Sequence, residues 1–264
     1  MAEVIICKGA QASSQAAQMA SSVFIELFKR KATAVIGLAT GSTPLKVYEH
    51  LAKEVSSQKV DVSHVQGFAL DEYVGLEKSH PESYFSIIDK HVTKPIGFTP
   101  GLIHVPSGDI ASIQTAGKVY EAMIRSSGGI DVQILGIGTD GHIGFNEPGS
   151  SLASRTRIKT LTQQTREDNA RFFDSPDQVP LHCITQGIGT ILEAKHVLLL
   201  AFGENKAEAV RDAIEGPVSA LCPASALQLH PHATYIIDEA AASMLKLKDY
   251  YEYTFANKPD WQRI

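Results

Sequence analysis

The feature that most restricts what this chain can fold into is an alternation. Short, nearly unbroken apolar runs, ended by glycine or polar residues, are separated by stretches of helical periodicity. The runs fall at residues 4–7, 34–39, 67–70, 131–137, 196–202 and 234–237. A strand that is apolar at consecutive positions must be covered on both faces, so the pattern predicts an open, mostly parallel sheet with helices on both sides. The first helix is the clearest. Ser13 or Ser14 can cap it, and Ala16, Ala20, Val23, Phe24, Leu27 and Phe28 repeat at three and four residues before Lys29-Arg30-Lys31. Further helices are expected over 44–56, 81–92, 110–127, 187–194, 204–215 and 239–245, with Lys94-Pro95-Ile96-Gly97 as a loop. No repeat or linker interrupts the series, which predicts one α/β domain over residues 1–264.

Composition excludes several classes of function. A net charge of −5 and a pI near 6.1 lack the basic excess of a nucleic-acid binder, so an anionic partner must be held by a few placed cations. Cys7, Cys183 and Cys222 are far apart and read as free thiols in a reducing compartment. With no signal-like start and no apolar stretch of membrane-spanning length, the expectation is a soluble cytoplasmic protein without membrane contact.

Four polar motifs follow predicted strands. Gly136 to Gly149 sets Asp140, His142 and Glu147, two carboxylates and an imidazole, on a glycine-rich loop. Thr40-Gly41-Ser42-Thr43-Pro44 joins a strand to a helix and offers free N–H groups and hydroxyls, the usual receptacle for phosphate. Asp71 and Glu72 meet water where the third run ends, and either can be a base or a simple cap. Lys206 opens a helix, where a cation opposes the dipole and so suggests a bound anion. Each alone admits a structural reading: a glycine turn, a capped βα turn, a surface lysine. In a parallel sheet all four converge on one rim, which points to acid–base chemistry on a small phosphorylated substrate. Metal catalysis is not expected, because neither His142 beside Asp140 nor His230-Pro-His232 supplies a full spaced ligand set.

These motifs resemble those of the isomerising glucosamine-6-phosphate deaminase family. The match rests on residues 37–44, 71–76, 80–84 and 136–150, and is extended by 154–161, 170–174 and 227–231. The resemblance implies a Rossmann-like fold and conversion of glucosamine 6-phosphate and water to fructose 6-phosphate and ammonium, formally a hydrolase acting on a C–N bond, with no organic cofactor. It makes Asp71 the base that moves a proton between C2 and C1. His142 becomes the ring-opening group, assisted by Asp140 and Glu147, while Gly41, Ser42, Thr43, Arg171 and Lys206 hold phosphate. Arg155, Arg157 and Lys159 alternate, as on an exposed edge strand. In regulated members of the family this segment belongs to a second anion site for the activator N-acetylglucosamine 6-phosphate, to which Ser150, Arg157, Lys159 and Thr160 correspond. The family includes monomers and homohexamers.

Two departures stand out. Residues 221–225, Leu-Cys-Pro-Ala-Ser, and the tail with Tyr250, Tyr251 and Tyr253 differ from regulated members, which sets allosteric control apart from the reaction itself. The rivals are a 6-phosphogluconolactonase, which typically follows its Asp-Gly-His with a different segment from Ile143-Gly-Phe-Asn-Glu-Pro148, and a non-catalytic sugar-phosphate-binding regulator, which would be expected to lack Asp71 or His142.

Overall fold

The computed structural model describes residues 3–264 apart from Asp174, Asp260 and Arg263, so Asp174, the end of the 170–174 motif, lies outside the described residues. In chain order the elements are β1 (Glu3–Cys7), α1 (Ala12–Arg30), β2 (Val35–Leu38), α2 (Ser42–Gln58), β3 (Gln66–Ala69), β4 (Asp71–Tyr73) and α3 (Tyr84–Ile88). After a π-turn at Asp89–Thr93 come α4 (Lys94–Ile96), β5 (Ile103–His104), α5 (Ile113–Ser126), β6 (Val132–Leu135), β7 (Arg157–Thr160), α6 (Gln163–Asn169) and β8 (His182–Thr185). The chain ends with α7 (Ile188–Ile191), β9 (His196–Ala201), α8 (Ala207–Ile214), β10 (Ala233–Asp238) and α9 (Lys248–Ala256).

All six expected strands enter one seven-stranded sheet of order β1-β10-β9-β6-β2-β3-β5, with every pairing parallel. Its core is dense with aliphatic side chains. Leu198, Leu199, Leu200, Ile236 and Ile237 are all at most 1% exposed, and each such burial stabilises the fold by about 1.5–3 kcal/mol. One face of α1, from Ala16 to Phe28, packs into the same core.

A second sheet was not expected. β4, β8 and β7 form an antiparallel unit in which Asp71 pairs with Thr185 and Thr185 with Arg157, while Tyr73 pairs with Cys183 and Cys183 with Lys159. Directly opposed residues share a face, so these six side chains stand on one side. Asp71 and Glu72 therefore do not meet water: they are 5% and 4% exposed.

Several local expectations are corrected. Gln11, not Ser13 or Ser14, stands at the N-cap of α1, and both serines lie within its first turn. Lys94-Pro95-Ile96 is helical rather than loop, and stops at Gly97 with φ 86°. A proline ring clashes with the carbonyl four residues earlier, which accounts for the wider turn just before it. Residues 239–245 form turns, not a helix. After Ala242 N–H bonds the Asp238 carbonyl, the N–H groups of Ser243 and Leu245 reach back only three residues, to Ala240 and Ala242, and just beyond the stretch Glu215 takes those of Lys246 and Leu247.

Candidate active site

β9, β6, β2 and β3 are neighbours in the parallel sheet, so their C-terminal ends lie on one rim. At about 4.8 Å per strand the four ends span roughly 14 Å. The rim carries Gly203 to Lys206 after β9, the 136–149 loop after β6, Thr40 to Pro44 after β2, and Asp71 directly beyond β3. The four sequence motifs thus face one region.

The loop after β6 is held by its own backbone: Gly138 N–H donates to the His142 carbonyl at 2.9 Å, and Gly141 N–H to that of Gly138 at 3.1 Å. Residue 138 must be glycine here, because a Cβ would fall 2.3 Å from the His142 ring. His142 Nδ1 lies 2.7 Å from Asp140 Oδ1, which also accepts the His142 backbone N–H at 3.1 Å. Partial burial pushes the Asp140 carboxyl upward. The hydrogen bond and charge of His142 outweigh that and hold it below the usual carboxylate range. An ionised Asp140 can only accept, so Nδ1 carries the hydrogen and Nε2 is left to exchange a proton with a ligand.

Glu147 completes the cluster. Its Oε1 accepts the hydroxyls of Thr165 at 2.5 Å and Thr162 at 3.3 Å, and Thr162 also caps α6. Its buried Oε2 has no hydrogen-bond partner among the described residues and stands 3.9 Å from His142 Nδ1. Asp140, His142 and Glu147 offer ligand atoms within 4.8 Å of one another, close enough to bridge a cation. However, the His142 nitrogen facing both carboxylates is already hydrogen-bonded to Asp140, an arrangement that orients an imidazole for proton transfer.

Asp71 approaches the same loop from the small sheet. A Cβ on Gly144 would lie 3.3 Å from Asp71 Oδ2 and 3.0 Å from Thr185 Oγ1, tight contacts that add to the preference for glycine set by its φ of 55°. Burial, then the neighbouring Glu72 charge, push the Asp71 carboxyl up to about 8, against a hydrogen bond from Thr185. Glu72 serves the backbone instead. It accepts the N–H groups of Tyr73, Tyr84 and Phe85 at 2.8–3.0 Å and so fixes the start of α3. Of the adjacent acids, one is a cap and the other is a dry carboxyl beside the loop.

The expected phosphate ligands are distributed unevenly. Gly41 is the N-cap of α2 and makes no side-chain cap bond, and the first N–H groups of a helix have no partner inside it, so Ser42 and Thr43 present donors at the rim. Lys206 is half-buried at the N-cap of α8. Arg171 is exposed in a 3-10 turn, with its guanidinium 4.7 Å from the Phe172 ring. Ser150 is buried, Arg157 and Lys159 are half-buried, and Thr160 is exposed. Arg155 stands apart from Arg157, bonding Glu121 and Glu193 as a structural clamp.

Some supporting residues escaped the sequence reading: Thr162 and Thr165 on Glu147, Thr185 on Asp71, and Asn146 within the loop. Thr162, three residues ahead of Thr165, is a helix-start signal that could have located the first pair. The segment 219–225 also braces the loop, with Ala224 N–H donating to the Gly141 carbonyl at 2.9 Å and Gly149 N–H to that of Ala220 at 2.7 Å. His230 and His232 are otherwise engaged: His230 Nε2 meets the Ala194 carbonyl at 2.7 Å, and His232 stacks on His196. All three cysteines are free and buried.

Residues 8–236 match the family described as glucosamine-6-phosphate isomerases/6-phosphogluconolactonase. The chain is 57% identical to a glucosamine-6-phosphate deaminase of Bifidobacterium longum (strain NCC 2705), covering both chains in full. With that of Streptomyces coelicolor the identity is 58%, over 99% of this chain and 100% of the relative. A solved monomeric glucosamine-6-phosphate deaminase superposes with a TM-score of 0.88 at 41% identity, over 92% of this chain and 99% of that one. The 6-phosphogluconolactonase of Thermotoga maritima shares the fold, with a TM-score of 0.71 at 19% identity over 90% of this chain and all of that one.

Proposed function

Because the chain belongs to the glucosamine-6-phosphate isomerase/6-phosphogluconolactonase family, we propose that it converts glucosamine 6-phosphate and water to fructose 6-phosphate and ammonium in amino-sugar catabolism. The observation that carries this reading is the pairing of a dry carboxyl, Asp71, with an oriented Asp140–His142–Glu147 cluster on the adjoining loop.

Each group suits one step. His142 Nε2 passes a proton between the anomeric hydroxyl and the ring oxygen, and Asp140 stabilises the imidazolium that forms, with Glu147 close by. The opened sugar exposes an acidic C–H at C2. Asp71, ionised, takes that proton and returns it to C1, while the C1 oxygen gains the proton that the C2 amino group gives up, which leaves a hydroxyl at C1 and an imine at C2 that water hydrolyses with release of ammonium. A carboxyl lifted towards neutrality is a strong enough base for this transfer and still ionises within the working pH range. Phosphate held by the N-terminus of α2, Lys206 and Arg171 supplies remote binding energy that aligns C1 and C2. Water is consumed at a C–N bond, so the net reaction classes the enzyme as a hydrolase that also isomerises.

The lactonase alternative needs no proton shuttle between adjacent carbons, and the regulator alternative gives no use to Asp71. The test is ammonium release from glucosamine 6-phosphate beside hydrolysis of 6-phosphogluconolactone. Ammonium and fructose 6-phosphate in equal amounts, with the lactone untouched, are the expected products. Lactone hydrolysis without ammonium, or neither activity, overturns the proposal.

We assign the protein to the cytoplasm; among the described residues no helix is long and apolar enough to cross a membrane. Ser150, Arg157, Lys159 and Thr160 form a second anion site in this reading, with N-acetylglucosamine 6-phosphate as activator. Sigmoidal kinetics that become hyperbolic with that ligand support it, and hyperbolic kinetics without response overturn it. Solution mass separates a monomer from a homohexamer.

A further inference from the structure

The small sheet does more than carry Asp71. Asp71, Thr185 and Arg157 form one row across its three strands, and the 143–147 stretch of the His142 loop lies on that face. Phe145 N–H donates to Thr185 Oγ1 at 3.1 Å, and the Phe145 ring packs on Tyr73 with centroids 5.8 Å apart. Between Phe145 and Glu147 sits Asn146, fully buried. Its amide nitrogen donates to the carbonyls of Ile143 at 2.9 Å and Gln186 at 2.8 Å, and its Oδ1 accepts Arg157 Nη1 at 2.6 Å. Every polar atom of that side chain is engaged. Ile143 follows His142 in the chain and Glu147 follows Asn146, so this one amide is tied to the positions beside both.

We infer that Arg157 is a positioning residue for the reaction. Its guanidinium fixes Asn146, and through Asn146 it fixes the distance between the base on β4 and the acid–base cluster on the loop. The inference rests on the proposed reaction. It differs from a purely effector-binding role because it operates with no effector present. A guanidinium is well suited to this role, since it is always charged and fans out several donors in one plane, so one nitrogen can hold Asn146 while the others remain for solvent or a further ligand. Removing it leaves Asn146 Oδ1 buried without a donor, and the loop must shift to rehydrate that atom.

The test compares the unmodified protein, Arg157→Met and Arg157→Lys in effector-free ammonium release. If the unmodified protein releases no ammonium, the functional proposal fails and the inference with it. If it does, Arg157→Met should lower kcat on the order of 100-fold, the scale expected for sub-ångström to ångström misplacement of reacting groups, with KM changed less than about threefold. Arg157→Lys, which keeps the charge and a donor, should recover part of that loss. Should Arg157→Met fail to fold, Asn146→Ser removes Oδ1 together with the two amide donors and leaves the guanidinium, and a fall in kcat at steady KM is again expected. Unchanged kcat in the variant that is read overturns the inference, as does a rise in KM alone, which would make Arg157 a substrate ligand.

Discussion

β9 in the large sheet buries six residues, His-Val-Leu-Leu-Leu-Ala, whereas β4 in the small sheet buries three, of which two are carboxylic acids. Taking leucine out of water stabilises a fold, while taking a carboxylate out of water opposes it unless the group is bonded or protonated. Glu72 meets that demand with three backbone N–H groups. Asp71 has one threonine hydroxyl and remains lifted to about 8. The large sheet therefore carries stability, and the small sheet holds the destabilised group to which we assign the role of base. Substitutions in the two should separate the properties.

The largest effect is expected at Asp71. Asp71→Asn should lower turnover by roughly 100- to 10,000-fold, the usual contribution of a general base, while substrate affinity stays within about tenfold. Its stability should change in the opposite sense. In the folded protein the carboxyl keeps its proton up to about pH 8, whereas the unfolded chain releases it near pH 3.9. The native state thus binds more protons across that window, and stability falls as pH rises through it. Asn does not titrate, so the variant should gain on the parent by up to about 5 kcal/mol at pH 8 and by little at pH 4. Retained turnover would remove Asp71 as the base, and a variant less stable at pH 8 would contradict its burial as a strained acid.

Leu198→Ala tests the other sheet. Truncating a fully buried leucine in the interior strand β9 should cost about 2–5 kcal/mol in denaturant unfolding, with kcat per folded molecule unchanged. A large kcat loss in the folded protein would mean the scaffold tunes the chemistry directly, and the division of labour would not hold.

Lys206 sharpens the comparison, since it sits on the large sheet's rim yet is assigned a ligand. Lys206→Ala and Arg171→Ala should each weaken phosphorylated ligands by about 1.5–3 kcal/mol, one to two decades, and spare unphosphorylated glucosamine. Equal losses for both ligands in direct binding measurements would return these cations to structural roles.

The same contrast explains what could be read from residues. Continuous runs such as Val-Leu-Leu-Leu announce a parallel strand, and the glycine-rich 136–149 loop becomes a candidate site only together with the other motifs on the same rim, since alone it reads equally as a glycine turn. β4 left no such trace: Asp-Glu-Tyr follows Leu70 without a break and gains its strand character from β8, more than a hundred residues away. β8 and β7 are four residues each, and their pairing is long-range too. Asn146 and Thr165 were silent for the same reason, since their value lies in partners that only the fold supplies. The alanine-rich 239–245 stretch misled because its backbone closes into three-residue turns, Ser243 to Ala240 and Leu245 to Ala242, a choice that its composition does not signal.

The smallest effect divides the two sheets by pH. At the N-terminal end of β9, His196 is buried, stacked on His232 with ring centroids 3.6 Å apart, and bonded to Thr234 Oγ1 at 2.9 Å. Burial, followed by the fields of His232, His230 and Lys258, brings its imidazole down to about 3. The folded state thus refuses a proton that the unfolded chain accepts near pH 6.5. Its contribution to stability is intact above that pH and is lost as pH falls towards 3, the reverse of the Asp71 slope. Between pH 6.5 and 5 the loss should be about 2 kcal/mol, in a window above the carboxylate titrations of the unfolded chain near pH 4. His196→Phe keeps a buried ring against His232 and removes the titration, so on going from pH 6.5 to 5 it should gain on the parent by about 2 kcal/mol in unfolding free energy, with the Asp71 slope running through the same window in both proteins. Equal acid slopes in parent and variant would take His196 out of the account and leave the large sheet's acid sensitivity to other groups.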